Sequence, residues 1–438
     1  MEDFSYRLPT HFVFGHGSER EAGRLVAHYG GTKVLVLFGG GSVERSGLLA
    51  RVLNSLDRAL LDHVELKGVK PNPLLSTVYE GISLVRDEHV DFILALGGGS
   101  VIDSAKAIAA GARYPGDVWD FYGGDRTPDR ALPVGCVLTI AASGSEASPD
   151  SVITQDGSML KRETSSSVLL PTFSILNPEL TETLPAYQTA CGITDMYSHL
   201  LERYMSRSTA VGVSDRMIEG LMLSIVDEAA PVAEDPQDYD ARANLMWAAT
   251  MAHCGMAGID RRHDWASHDI EYALSSRYSV AHGAGLAVVI PAVLTYYLDV
   301  EVAAVPRLAQ LARRVWGVVE ADDMTAARAG VEAQRTFFAS LGMPVTLEAV
   351  GGKLEDIPSL AHETCYAGGR TGTGATSDVV GASAQQGAAD LGAPRVLESL
   401  LGDGAVALDL IFKHFAHIVK VDLVCEIIDI ADIQQALV

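Results

Sequence analysis

Three short apolar runs punctuate the first 140 positions of the chain. KVLVLF (33–38), DFILAL (91–96) and PVGCVLTI (133–140) carry almost no polar residue, the pattern of strands covered on both faces. The first two run into GGGS and the third into AASGSEAS. Between them lie segments of helical spacing, VERSGLLARVLNSLDRALLDH after the first run and VIDSAKAIAAGA after the second. Continuous strands alternating with helices predict a parallel sheet with helices on both faces. From about residue 187 the texture changes. Ala, Leu and Met recur at helical intervals, as in ANLMWAATMAHCGMAG, and strand-like runs stop. The pattern predicts an α/β domain over 1–186 and an all-helical domain over 187–438. Residues 366–394, rich in Gly, Ala, Ser and Thr, read as a loop or loosely packed insertion.

Composition narrows the partners. The 438 residues carry a formal net charge of −23, which argues against nucleic acid and anionic membrane. Five cysteines, at 136, 191, 254, 365 and 425, are odd in number and form no CxxC pair, as expected of free thiols in a reducing compartment. The N-terminal stretch MEDFSYRLPTHFVFG has early acidic residues and no apolar core of a signal peptide, and no apolar run reaches transmembrane length. A cytoplasmic protein is the expectation.

The glycine-rich turns are the first candidate chemistry. In LALGGGSVIDSAK a strand stops, glycines allow close backbone approach, and Ser100 opens a helix whose free N–H groups favour phosphate. The spacing is not GxGxxG, so the usual dinucleotide fingerprint is absent. A plain turn explains one such run. Three small-residue strand ends along one sheet edge point instead to a nucleotide. Asp103 and Lys106, inside the helix, read as a solvated pair.

The second candidate is a set of buried-looking polar residues. CGITDMYSHLLERYMS places Asp195 and His199 four residues apart, on one helical face among apolar neighbours. Downstream, His268 falls in a helical pattern and His282 at the AHGAG turn. His11, His28, His63 and His89 sit beside charged or turn residues and need only a surface. One carboxylate and three imidazoles, without thiolate, suit Fe²⁺ or Zn²⁺. Each residue alone is also satisfied as a hydrogen-bonded helix residue, and His253 and His263 are further candidates by type.

PNPLLSTVYEG, LALGGGSVIDSAKAIA, SGSEAS, NPELTETLPAYQTACGITDMYSHLLERYMS and DWASHDIEYALSSRYSVAHGAGLAVVIPA resemble the iron-containing (group III) alcohol dehydrogenase family, in its butanol dehydrogenase-like branch. The resemblance runs from near residue 1 to about 320 and fades beyond about 350. It implies a Rossmann-like parallel sheet followed by an all-α domain. It implies Asp195, His199, His268 and His282 as ligands of one divalent metal. It assigns Gly40, Gly41, Ser42, Gly98, Gly99, Ser100, Asp103, Thr139, Ser143 and Lys161 to the dinucleotide. It further implies a homodimer.

One departure bears on mechanism. Many relatives carry a histidine four residues after the third ligand, where this chain has Tyr272. A phenol with a pKa near 10 is a weak base at neutral pH, so Tyr272 is a candidate proton relay and the donor stays unassigned. The expected reaction is hydride transfer between NAD(P)(H) and a small aliphatic aldehyde or alcohol. NADP(H) is preferred over NAD(H), because the GGGSVERSG turn offers no carboxylate to repel a 2′-phosphate and Arg45 is close in sequence. The rivals are a polyol dehydrogenase of the glycerol dehydrogenase type and a dehydroquinate synthase-like lyase.

Overall fold

The computed structural model describes residues 1–364, apart from 125, 159, 207, 209, 264 and 301. The small-residue tract at 366–394 lies outside the described residues. Strands β1 (His11–Phe14), β2 (Lys33–Phe38), β3 (Asp62–Lys67), β4 (Phe92–Gly97), β5 (Val134–Leu138) and β8 (Phe173–Leu176) form one sheet in the order β1-β8-β5-β4-β2-β3. Every pairing in it is parallel. Between β5 and β8, β6 (Asp150–Thr154) and β7 (Lys161–Ser165) make a separate antiparallel hairpin. Helices α1 (Ala22–His28), α2 (Ser42–Arg45), α3 (Leu48–Arg58), α4 (Leu75–Asp87) and α5 (Gly99–Arg113) alternate with the strands. From α6 (Ala186–Tyr204) the described α-helices are α7 (Gly212–Glu234), α8 (Tyr239–His253), α9 (Ala266–Tyr278), α10 (His282–Val300), α11 (Val305–Val315), α12 (Asp323–Ser340) and α13 (Ile357–Thr364).

The unbroken apolar runs have a direct cause. Leu35, Leu37, Ile93, Ala95 and Cys136 pack on one side of the sheet with residues of α4 and α5. Their alternates Val34, Val36, Phe38, Leu94 and Val137 pack on the other side with α1 and α3. Side chains alternate faces along a strand, so a sheet covered twice needs apolar residues at every position. A third core holds the helical part together, with Leu200, Ile218, Leu245, Leu274, Val289 and Leu308 nearly or fully buried.

Two readings change. The long helical pattern after β2 is broken at Gly47, whose φ of 71° separates α2 from α3, and its last residues begin strand β3. Asp103 and Lys106 are not a solvated pair. Lys106 is fully buried, and its ammonium donates to Ser145 Oγ (3.0 Å), Ser148 O (2.9 Å) and Asp150 O (2.7 Å). Burial pushes its pKa down, against the pull of Asp103 and Asp150.

Candidate active site

A cleft of about 1580 Å³ runs between the glycine-rich strand ends and the helices that carry the histidines. The C-terminal ends of neighbouring parallel strands supply one wall, the usual ligand position of an open α/β sheet. Gly40, Gly98, Gly99, Ser100, Asp103, Ser143 and Lys161 line it. Gly41, Ser42 and Thr139 are adjacent in sequence to that lining, and the Thr139 amide is engaged with Gly97 O at 3.1 Å. The glycines also serve the protein's own packing. A Cβ on Gly98 would lie 2.1 Å from the Ile140 side chain, and one on Gly99 2.3 Å from Ser143 Oγ. The start of α5 therefore presses against the loop after β5, with its first amides at the cleft.

Asp103 is committed to structure. Its carboxylate accepts from Ser145 Oγ (2.6 Å) and from the Val152 amide (3.2 Å), and so ties α5 to the hairpin. Burial raises its pKa to about 6, with Lys106 opposing.

Across the cleft, Asp195, His268 and His282 each present a ligand atom within 4.8 Å of the others. Asp195 Oδ1 lies 3.9 Å from His268 Nε2, 3.8 Å from His282 Nε2 and 3.6 Å from His199 Nδ1. His199 joins through Asp195 and through its ring, 4.7 Å from that of His268. Asp195 Oδ1, His268 Nε2 and His199 Nδ1 are buried without a hydrogen-bond partner. Buried polar atoms are rarely left so, and the orphaned acceptors of Asp195 and His268, converging with His282, fit a cation; His199 Nδ1 stands beside Asp195 but outside that mutually close set. Burial raises the pKa of Asp195, with His282 and His268 opposing. Burial, reinforced by His253 and His268, holds His199 well below the usual histidine range, leaving it neutral as a ligand must be.

Close approach of backbones places this set. A Cβ on Gly192 would lie 2.2 Å from Ala141 O, and one on Gly283 2.0 Å from Cys191 O. The first lets α6 meet the loop after β5, three residues before Asp195. The second lets α10 meet α6, one residue after His282.

Two carboxylates escaped the sequence reading. Glu202 Oε2 pairs with His268 Nδ1, and its Oε1 accepts from the Ser267 amide at 2.7 Å. Glu271 Oε2 pairs with His282 Nδ1. Both fix their histidines with Nε2 toward the cluster. Burial alone would raise the pKa of Glu271, but His282 and Lys161 outweigh it and the net shift is downward. In His268 burial is likewise outweighed, by Glu202, and its pKa rises. The signal for Glu202 was its place three residues after His199 on the same helix. Glu271 carried the same signal, three residues after His268 on its own helix.

His253 and His263 line the cleft but lie outside the cluster. His253 Nε2 pairs with Asp150 at 3.0 Å and its Nδ1 with Arg203 at 3.0 Å. His263 Nε2 donates to Gly258 O at 2.6 Å. Tyr272 also lines the cleft, its ring 5.7 Å from that of His282 and beneath the Lys161 ammonium at 4.6 Å.

Comparison with known proteins gives the class. Residues 9–178 match the iron-containing alcohol dehydrogenase model, and residues 189–373 match the model of that family's C-terminal part. The chain is 39% identical to the probable NADH-dependent butanol dehydrogenase 1 of Bacillus subtilis, over 83% of this chain and 93% of that protein. It is 36% identical to the NADPH-dependent aldehyde reductase YqhD of Escherichia coli, over 82% of this chain and 92% of that protein. Among solved structures, the NADH-dependent butanol dehydrogenase A of Thermotoga maritima superposes with a TM-score of 0.80 at 40% identity, covering 83% of this chain and 90% of that one. The chain belongs to the iron-containing alcohol dehydrogenase family. It is an oxidoreductase of the alcohol dehydrogenase and aldehyde reductase type, dependent on a nicotinamide cofactor and a metal.

Proposed function

We propose that this protein reduces small aliphatic aldehydes, of which butanal is the model substrate, with NADP(H) preferred over NAD(H). The observation that carries the reading is the set of orphaned buried ligand atoms on Asp195, His199 and His268, opening into the cleft lined by the glycine turns. Asp195, His199, His268 and His282 would hold one Fe²⁺ or Zn²⁺. When bound, the metal supplies Lewis-acid polarisation of a carbonyl oxygen and the reduced nicotinamide supplies the hydride.

The chain's own residues do the rest. Residues 1–186 form the cofactor domain and the helices from 187 onward carry the ligands. Gly98, Gly99 and Ser100 at the start of α5 offer backbone amides to the diphosphate, with Gly40, Gly41, Ser42, Thr139 and Ser143 around them. Asp103, which lines the cleft while holding Ser145 and the hairpin, belongs to the same dinucleotide site. Lys161 meets the nicotinamide half, and the Tyr272 hydroxyl is the candidate to pass on a proton. Glu44, the carboxylate nearest the first turn, faces Lys67 at 3.7 Å, and a Cβ on Gly41 would sit 2.8 Å from the Arg45 guanidinium and 3.5 Å from Glu44 Oε2, so two cations flank the one carboxylate there. That charge balance favours a 2′-phosphate. We further propose a cytoplasmic homodimer.

A dehydroquinate synthase-like lyase needs a cluster of phosphate-binding cations. Among the described lining residues the Lys and Arg side chains are Lys70, Lys161 and Arg203. Lys161 is 3.8 Å from Glu271, and Arg203 is bound to His253. The test is metal analysis of anaerobically purified protein together with a panel of aldehydes and polyols. Stoichiometric metal and turnover of butanal support the reading; turnover of glycerol alone would replace it with the polyol rival.

A further inference from the structure

Glu271, on α9, is fully buried and touches both halves of the site. Its Oε2 pairs with Nδ1 of His282 on α10 and lies 3.8 Å from the Nζ of Lys161 on the hairpin strand β7. Its Oε1 has no hydrogen-bond partner. Gly285 makes room for this carboxylate, since a Cβ there would lie 2.5 Å from Oε1. Lys161 reaches α9 twice more, donating to Ser275 Oγ at 3.4 Å and lying over the Tyr272 ring. One buried charge therefore joins a residue of the metal cluster to a lysine that lines the cofactor cleft.

We propose that Glu271 is a positioning residue that couples occupancy of the metal cluster to dinucleotide binding. The proposal rests on the reading that Asp195, His268 and His282 hold the cation and Lys161 meets the dinucleotide. A cation on the far nitrogen of His282 strengthens its Nδ1–H as a donor. The Glu271 charge is then drawn toward His282 and its hold on Lys161 loosens, so Nζ turns more readily to the cofactor. Linkage requires the converse by the same factor: dinucleotide that draws Lys161 away leaves Glu271 to His282 and tightens metal binding.

The experiment needs no turnover. Protein stripped with chelator is titrated with NADPH, followed by nicotinamide fluorescence, without metal and with saturating Zn²⁺. Native protein is expected to bind NADPH about fivefold or more tightly when loaded, the lower end of usual coupling between sites. In Glu271→Gln, which keeps shape and loses charge, the ratio of the two Kd values falls to about one, while Zn²⁺ affinity drops about 10–100-fold. A purely structural role would weaken both NADPH titrations and leave their ratio unchanged, and that result overturns the proposal. Lys161→Met cuts the other end of the link, so its ratio must also fall to about one whether or not Glu271→Gln folds; a native ratio there overturns the proposal too. Native protein that takes up no Zn²⁺ removes the metal assignment and this coupling together. Stoichiometric Zn²⁺ with a native-like ratio in both variants removes the coupling alone.

Discussion

Replacing Lys106 with methionine tests whether the cleft wall is held by a buried charge. Methionine keeps most of the volume and removes the ammonium. Its hydrogen bonds to Ser145 Oγ, Ser148 O and Asp150 O go with it, and so does a longer one to Ser148 Oγ. At about 1.5–3 kcal/mol for each bond to a charged group, the gross loss is large. The cost of burying that charge, several kcal/mol, is recovered at the same time. What remains is a buried Asp103 without the charge of Lys106 and two carbonyls without this donor, and each buried group left unsatisfied costs about 1–3 kcal/mol. We expect about 3 kcal/mol, read from urea denaturation as a lower midpoint at unchanged slope. The segment Lys106 holds includes Ser145, Ser148 and Asp150, all lining the cleft, so NADPH binding should weaken about tenfold, equivalent to about 1.4 kcal/mol. A loss below about 1 kcal/mol with native NADPH affinity would refute the argument, because the node would then be dispensable to both fold and cleft.

Three further outcomes are expected. Asp195→Asn should purify without stoichiometric metal and without activity yet bind NADPH within about threefold of metal-free native protein, because the glycine turns are untouched; near-normal metal content would sink the ligand assignment. With one aldehyde and matched salt, kcat/KM should favour NADPH over NADH, about tenfold if the charge balance at the first turn is worth 1.4 kcal/mol, and a preference for NADH would contradict that reading of Glu44, Lys67 and Arg45. His263, with burial as the largest cause and Arg203 next, has its pKa lowered from 6.5 to about 4. The folded state thus favours the neutral ring, and its contribution is complete above pH 6.5 and is lost as pH falls toward 4. His263→Gln should flatten the acid limb of the stability profile by up to about 2 kcal/mol near pH 5, and an unchanged limb in urea titrations would exclude the neutral ring as its source.

What the sequence disclosed follows from how local each signal was. KVLVLF and DFILAL were legible because a strand covered on both faces must be apolar throughout, and β2 occupies residues 33–38 as read. DHVELK had its first two residues absorbed into the preceding helical pattern and the rest passed over. It pairs on one side only, at the sheet's end, and its alternating polar residues suit an edge. FSIL was passed over because four residues give no period, although β8 lies between β1 and β5 in the sheet. Lys106 shows the converse error. Charged residues on a helix are usually solvated, and only the hairpin, some 40 residues on, supplies the carbonyls that allow its burial.

The site divides along the same line. Asp195 and His199 could be paired from spacing because one helix face carries both. His268 and His282 needed the resemblance, since nothing within either segment says that α9 and α10 converge on α6. That convergence is set by glycine: with any side chain at 283, Cys191 O could not approach α10, and His282 could not stand 3.8 Å from Asp195. Glu202 and Glu271, each three residues after a candidate ligand, were passed over for a different reason. A carboxylate on a helix is unremarkable until the imidazole it orients is known, and that imidazole belongs to another element in each case. The chemistry of the cluster is written in four residues, but its geometry is written in the glycines and carboxylates around them, whose meaning exists only in the folded chain.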